Sequence, residues 1–263
     1  MTIIQAIIYG IVQGIAEFLP ISSTAHLVLI PWLFGWEDPG VVFDVALHLG
    51  TAAAVILFFY KDWLNLITAG LTKPKTKDGK LFWLLVLATV PGALFGVLLD
   101  KYMEGFRNHA LIGVMLIAMG IILYAADKYG KREVEISETG TKRSLIIGLA
   151  QVFAVIPGVS RSGITMTVGR ALGMTRDSIA RFTFLLSAPI ILGDGLYHAK
   201  GLLHTQIDKA PFFTAMITAA VVGALSIKFL LDYIKNKGFG IFAAYRFIFG
   251  ALVIAVYFLN GYK

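Results

Sequence analysis

Gln13 and Glu17 stand four positions apart, so on a helix they share one face. Glu17 is followed by Pro20 and then by the hydroxyl run Ser22-Ser23-Thr24. A carboxylate this deep in apolar sequence is costly to ionise, which makes it a functional candidate; the plainer reading is a carboxylate that snorkels or pairs for structure. Hydroxyls that open a helix are ordinary N-caps, yet the free N–H groups of such a terminus also receive anions. His26 lies one turn beyond Ser23, and a hydroxyl beside an imidazole is the pairing that activates a hydroxyl for attack.

A second segment, Pro157-Gly158-Val159-Ser160-Arg161-Ser162-Gly163-Ile164-Thr165, carries the same features. Its glycines permit close backbone approach. Arg161 puts a permanent, fork-shaped donor into an apolar stretch, and that fork matches phosphate oxygens. Its plainer role is to neutralise Glu17. Thr165, one turn on, faces the same space. Together these residues describe an anion pocket. Ser23, His26, Glu17 and Arg161 are its catalytic candidates; Ser22, Thr24, Gly158, Ser160, Ser162 and Thr165 are its substrate-binding ones.

Other polar residues attract weaker readings. His48, Asp194 and Arg246 have no partner or spacing that singles them out, so they read as structural. His109, His198 and His204 fall near the ends of apolar stretches or in loops, and Arg170 and Arg176 lie towards a charged loop as topology signals. There is no cysteine, which removes disulfides, thiolate nucleophiles and Cys-ligated metals. The zinc-protease, Walker and dinucleotide-binding patterns are also missing.

The elements that hold these residues must sit in a bilayer. Of 263 residues, 57% are hydrophobic and 15% charged, with a mean hydropathy of +0.78; soluble chains carry about 25% charged residues. The first Lys or Arg is Lys61, so the start lacks the basic region of a secretory signal. A net charge of +7 suits cytoplasmic loops better than nucleic acid. Six stretches are long enough to span: Val41–Tyr60, Leu81–Leu99, Ala110–Ala126, Ser178–His198, Phe212–Asp232 and Ile241–Leu259. Two apolar regions, 2–35 and 144–172, are broken by Pro20 and by Pro157-Gly158, and read as re-entrant helix–loop–helix hairpins. Gly10-Ile-Val-Gln13 matches Gly148-Leu-Ala-Gln151, and three spans follow each hairpin. The expected fold is therefore all-α and polytopic, an inverted repeat of residues 1–141 and 142–263 within one transmembrane domain. Its hairpins would enter from opposite faces and meet tip to tip. Paired interrupted segments of this kind point to a binding site at the midplane.

Taken together, Gln13-x-x-x-Glu17 with Phe-Leu-Pro-Ile-Ser-Ser-Thr-Ala-His26, and Pro157-Gly-Val-Ser-Arg-Ser-Gly-Ile-Thr165, resemble the two motifs of the bacterial undecaprenyl-diphosphate phosphatase family. That family allows Glu or Gln at the first position, and this chain has Gln13. The resemblance implies hydrolysis of undecaprenyl diphosphate to undecaprenyl phosphate, which recycles the lipid carrier of peptidoglycan synthesis. It also implies bacitracin resistance, a bacterial plasma-membrane location with an outward-facing site, and a divalent cation, Mg2+ or Ca2+, on Glu17 and Gln13. The expected partners are the polyprenyl diphosphate and the bilayer, without nucleic acid, and a homodimer stays open as the assembly. Ser23, His26 or a water could attack phosphorus. The Pro-Ser-Gly-His segment of the type 2 phosphatidic-acid phosphatases is not present. Inverted repeats with broken helices also suit a carrier of anionic lipid or phosphate, with Arg161 holding the charge and Glu17 coupling protons.

Sixteen Lys and Arg fall in segments 61–80, 128–143, 170–181 and 228–237, against five at Lys101, Arg107, Lys200, Lys209 and Lys263. The richer side faces the cytoplasm, so both termini should be external. Single cysteines at Thr76, Thr139 and Thr205 test this in intact cells: an impermeant thiol reagent should label only the last. Labelling of the first without the last reverses the orientation.

Overall fold

The computed structural model describes residues 1–99, 102, 105–202 and 208–259, with the backbone alone at 41–42 and 198–202. His204, Lys101, Lys263 and the probe position Thr205 lie outside the described residues, as do the side chains of His198 and Lys200. Eleven α-helices make up the described chain. Two short ones, α1 (Ile3–Ala16) and α2 (Ser23–Phe34), form the first broken region. They are followed by α3 (Val41–Phe58), α4 (Tyr60–Thr72), α5 (Lys77–Leu99) and α6 (His109–Tyr129). The second broken region is α7 (Gly140–Ala150), a 3-10 turn (Gln151–Val155) and α8 (Arg161–Ala171). Then come α9 (Arg176–Leu202), α10 (Lys209–Ile234) and α11 (Gly240–Leu259).

Five of these helices are long and apolar enough to cross a membrane, and a sixth span follows if α3 and α4 are taken together across their 74° bend. Residues from Lys61, expected to begin a charged loop, instead continue as α4. The reason lies in its side chains. Leu66 and Gly70 pack inward, and Trp83 Nε1 of α5 donates to the Gly70 carbonyl at 3.1 Å. Leu64, Ile67 and Leu71 face outward. A helix with apolar residues on its outer face and charged residues, Lys61 and Asp62, at its start can lie in the interface plane.

Helix contacts use small residues, as they must where lipid offers no hydrophobic drive to association. On α1, a Cβ added at Gly10 or Gly14 would come within 2.7–2.8 Å of Thr218, Val222 and Gly223 on α10. On α7, a Cβ at Gly148 would strike the Ala88 backbone of α5. The α6–α11 contact is likewise built on Gly113, Gly120 and Gly250. Large apolar side chains point outwards instead, among them Val114, Ile121, Val221, Leu225 and Ile248.

One end of the bundle is tied by charge. Arg170, read from sequence as a topology signal towards a charged loop, is 0% exposed. Its Nε donates to Asp127 Oδ1 at 3.0 Å, and its two terminal nitrogens reach the carbonyls of Lys131, Met174, Asp127 and Gly130. Asp127 also accepts from Arg176 Nε (2.7 Å), Arg176 Nη2 (2.8 Å) and the Phe239 N–H (2.9 Å). The charge-topology argument foresaw the end of the bundle but not the burial. Thr139 is buried too, with its hydroxyl donating to the Ile136 carbonyl at 2.7 Å, so Thr76 is the better labelling position. Removing one partner of a buried pair costs about 3–5 kcal/mol, and lysine keeps the charge but cannot serve so many carbonyls. Arg170→Lys should therefore lower the thermal midpoint in detergent clearly; an unchanged midpoint would show that the network is dispensable.

Candidate active site

The two broken regions meet at their turns. Pro20 ends α1, and the chain enters α2 through Ser22, whose φ of 78° is one of two positive values at non-glycine positions among the described residues. The other is Ser160, at 72°, where the second region enters α8. Both serines cap their helix: Ser22 Oγ accepts from Ala25 N–H at 3.4 Å and Ser160 Oγ from Gly163 N–H at 3.1 Å. A left-handed serine costs about 1–3 kcal/mol and persists only where its surroundings fix it. Here each turn fixes the other. Gly158 N–H donates to Ser22 Oγ (3.2 Å), and Ser162 Oγ donates to the Leu19 carbonyl (3.1 Å).

At this junction sits Glu17, its side chain 5% exposed. Oε2 accepts from Ser23 Oγ at 2.7 Å and from Gln13 Nε2 at 3.3 Å. His48 Nε2 stands 4.0 Å from the same oxygen, and Arg161 Nη2 stands 3.8 Å from Oε1. Four helices thus address one carboxylate: α1, α2, α3 and α8. Arg161 keeps a second arm free, because its Nη1 is buried and has no partner. An unmatched buried guanidinium nitrogen is a strong donor awaiting an anion.

The sequence placed His26 beside Ser23 as its base; in the structure its two ring nitrogens have other partners. His26 Nδ1 donates to the Ser22 carbonyl at 2.7 Å, and its Nε2 pairs with the Tyr245 hydroxyl at 2.6 Å. Its ring also stacks on Phe249 at 4.9 Å. With both nitrogens engaged, His26 braces the turn, and the group bonded to the Ser23 hydroxyl is Glu17. The other hydroxyls also hold backbone. Ser160 pairs with Ser162 (3.1 Å), Thr165 donates to the Arg161 carbonyl (2.8 Å) and pairs with Thr183 (2.9 Å), and Thr24 pairs with Ser22 (3.2 Å).

A hard divalent cation prefers oxygen ligands and commonly completes its shell with substrate phosphates and water. Among the described residues no group of three His, Asp or Glu gathers for a metal. Gln13 Oε1 is nevertheless buried without a partner, one turn from Glu17. Glu17 with Gln13 Oε1 therefore fits a cation that arrives with an oxygen-rich anion, and does not by itself make a closed metal cage.

The family model of the bacitracin resistance protein BacA matches residues 6–252. The chain belongs to that family. Among its relatives, the undecaprenyl-diphosphatase of Pelotomaculum thermopropionicum is 52% identical, covering 97% of this chain and 97% of its own. Those of Caldicellulosiruptor bescii and Moorella thermoacetica are 48% and 49% identical, each covering 99% of this chain and 100% of its own. The family and the apolar helices together make this a multi-pass membrane protein.

Two site residues escaped the sequence reading. His48 sits on α3, thirty-one positions from Glu17, and no local pattern links them. Arg246, also read as generically structural, is 0% exposed and clips both turns. Its Nη1 donates to the Pro20 carbonyl (3.2 Å), Nη2 to those of Gly158 (2.5 Å) and Val159 (3.2 Å), and Nε to that of Leu116 (3.3 Å). Arg161 is thus the cation at the site, but not the only one serving the turns. An arginine in the middle of the apolar run of α11 was the available signal. Each buried carbonyl left unpaired costs about 1–3 kcal/mol, so Arg246→Met should lose both turnover and thermal stability. Full activity in that variant would mean the turns hold their shape without the clip.

Proposed function

We propose that this protein hydrolyses undecaprenyl diphosphate to undecaprenyl phosphate and inorganic phosphate. The observation that carries the reading is the Glu17 carboxylate, with the Ser23 hydroxyl on one oxygen and Arg161, carrying an unmatched buried nitrogen, on the other side. Full-length relatives bearing the name undecaprenyl-diphosphatase support it. Glu17 takes the proton of Ser23 as its oxygen attacks the terminal phosphorus. The bond to the bridging oxygen breaks and the lipid monophosphate leaves with the electron pair. Arg161 holds the phosphoryl oxygens through the charge build-up. A water then cleaves the phosphoserine, and Glu17 returns the proton to Ser23. Bound at Glu17 and Gln13, a divalent cation would offset diphosphate charge in a low-dielectric site.

The same reading places the chain in a bacterial plasma membrane with this site facing outwards, and implies resistance to bacitracin. The architecture is an inverted repeat with two re-entrant hairpins. Ser22 and Ser160 lie 138 positions apart, as do Gly10 and Gly148, and Gln13 and Gln151. Packing agrees: α1 lies on α10 as α7 lies on α5. Whether a homodimer forms is a question for solution measurement.

Purified protein in detergent should release phosphate from a polyprenyl diphosphate, lose that activity with a chelator, and regain it with Mg2+ or Ca2+. Ser23→Ala should be inactive. An arginine on a transferring phosphoryl group is worth about 10³–10⁵-fold, and lysine lacks its fork, so Arg161→Lys should fall by a large part of that range. A carrier would release no phosphate, and that result would overturn the reading.

A further inference from the structure

His48 turns one ring nitrogen towards Glu17. Its Nδ1 lies 2.8 Å from the Asp44 carbonyl, which only accepts, so Nδ1 carries the hydrogen. In the neutral ring Nε2 is then a bare lone pair. It faces Glu17 Oε2, another acceptor, across 4.0 Å. That gap is too long for a direct hydrogen bond. A polar separation of this size is the place to expect a bridging water, with one O–H to each side. A hard cation is a poorer occupant, because it selects oxygen over imidazole nitrogen. Ser23 Oγ is 2.7 Å from the same Glu17 oxygen, so a water in the gap lies beside the serine.

We infer that His48 is a catalytic residue of the second step: with Glu17 it holds the water that attacks phosphoserine 23. The inference rests on the serine reading above. In the first step the Ser23 proton goes to Glu17, the Oγ–P bond forms and the P–O bond to the lipid monophosphate breaks. In the second, the water oxygen bonds to phosphorus and one of its protons passes to His48 Nε2. The P–Oγ bond breaks, Ser23 Oγ recovers the proton held by Glu17, and the phosphate leaves with the remaining water proton. His48 then yields its proton to solvent. The net change is one water consumed, one lipid monophosphate and one inorganic phosphate formed, and one proton released. Asp44, through its backbone, sets the ring's tautomer and so acts as a positioning residue.

The test is rapid quenching of His48→Ala with a polyprenyl diphosphate labelled in its terminal phosphate, alongside wild type, His48→Gln and Ser23→Ala. Loss of positioned acid–base help is typically about 10²–10⁴-fold. His48→Ala should release one equivalent of lipid monophosphate at close to the wild-type rate, then stall, with label trapped on Ser23 and phosphate release slowed by that factor. Glutamine, which can still accept from a water, should recover much of the loss. Thermal midpoints in detergent show whether each variant is folded. If His48→Ala slows the burst as much as phosphate release, or leaves both unchanged, His48 does not serve the second step. If it only raises the metal concentration required, His48 is a cation ligand and the inference fails. Ser23→Ala decides the underlying reading separately: turnover in that variant removes the phosphoserine and the role of His48 with it.

Discussion

A backbone carbonyl or N–H inside hydrocarbon must find a partner within the protein, and this requirement shapes everything around the active centre. Two helices break where lipid would punish a break. Leu19 and Pro20 expose carbonyls in one turn, and Gly158 and Val159 in the other. The solution is reciprocal. Each turn supplies donors to its counterpart, and Arg246 from α11 covers what is left. The polar groups brought in to satisfy the breaks form the setting in which the Glu17 carboxylate, the Ser23 hydroxyl and the Arg161 guanidinium gather.

That setting explains why so many hydroxyls near the site do not point at a ligand. Ser22, Ser160, Ser162 and Thr165 are bonded to backbone or to one another. They make the two turns stiff. The side chains with capacity to spare are fewer: Arg161 Nη1, Gln13 Oε1 and the imidazole of His48. Rigid, fully bonded walls around a few unmet donors and acceptors are what a preorganised site requires, because little reorganisation is then left for the moment of reaction.

Much of this was legible in the sequence. Broken apolar runs marked the two turns, because proline and glycine leave a chemical mark in an otherwise uniform stretch. Gln13, Glu17 and Ser23 were legible because a short helix and its turn hold them in register. Arg161 and Glu17 were predicted together only through the matched plan of the halves. What sequence could not supply was the partner of any residue reached across the bundle. Ser23 and His26 are one turn apart, yet Ser22 and Tyr245 occupy the imidazole, and nothing near position 26 announces a tyrosine at 245. Arg170 was misjudged for the same reason: a basic residue near a basic loop looks solvated until Asp127 closes over it. The Phe59 bend escaped because α4 carries charges that read as loop while its outer face reads as lipid.

The clip on the first turn also sets an order of assembly. Arg246 lies 226 residues downstream of the Pro20 carbonyl that it satisfies. At about 5–20 residues per second of synthesis, the turn waits on the order of ten to forty-five seconds for its donor. For the first 136 residues after Ser22 the α1–α2 turn has neither Gly158 nor Arg246 to bond, and after that it still lacks Arg246. A chain stopped before α11 therefore carries both turns without the guanidinium that clips their carbonyls.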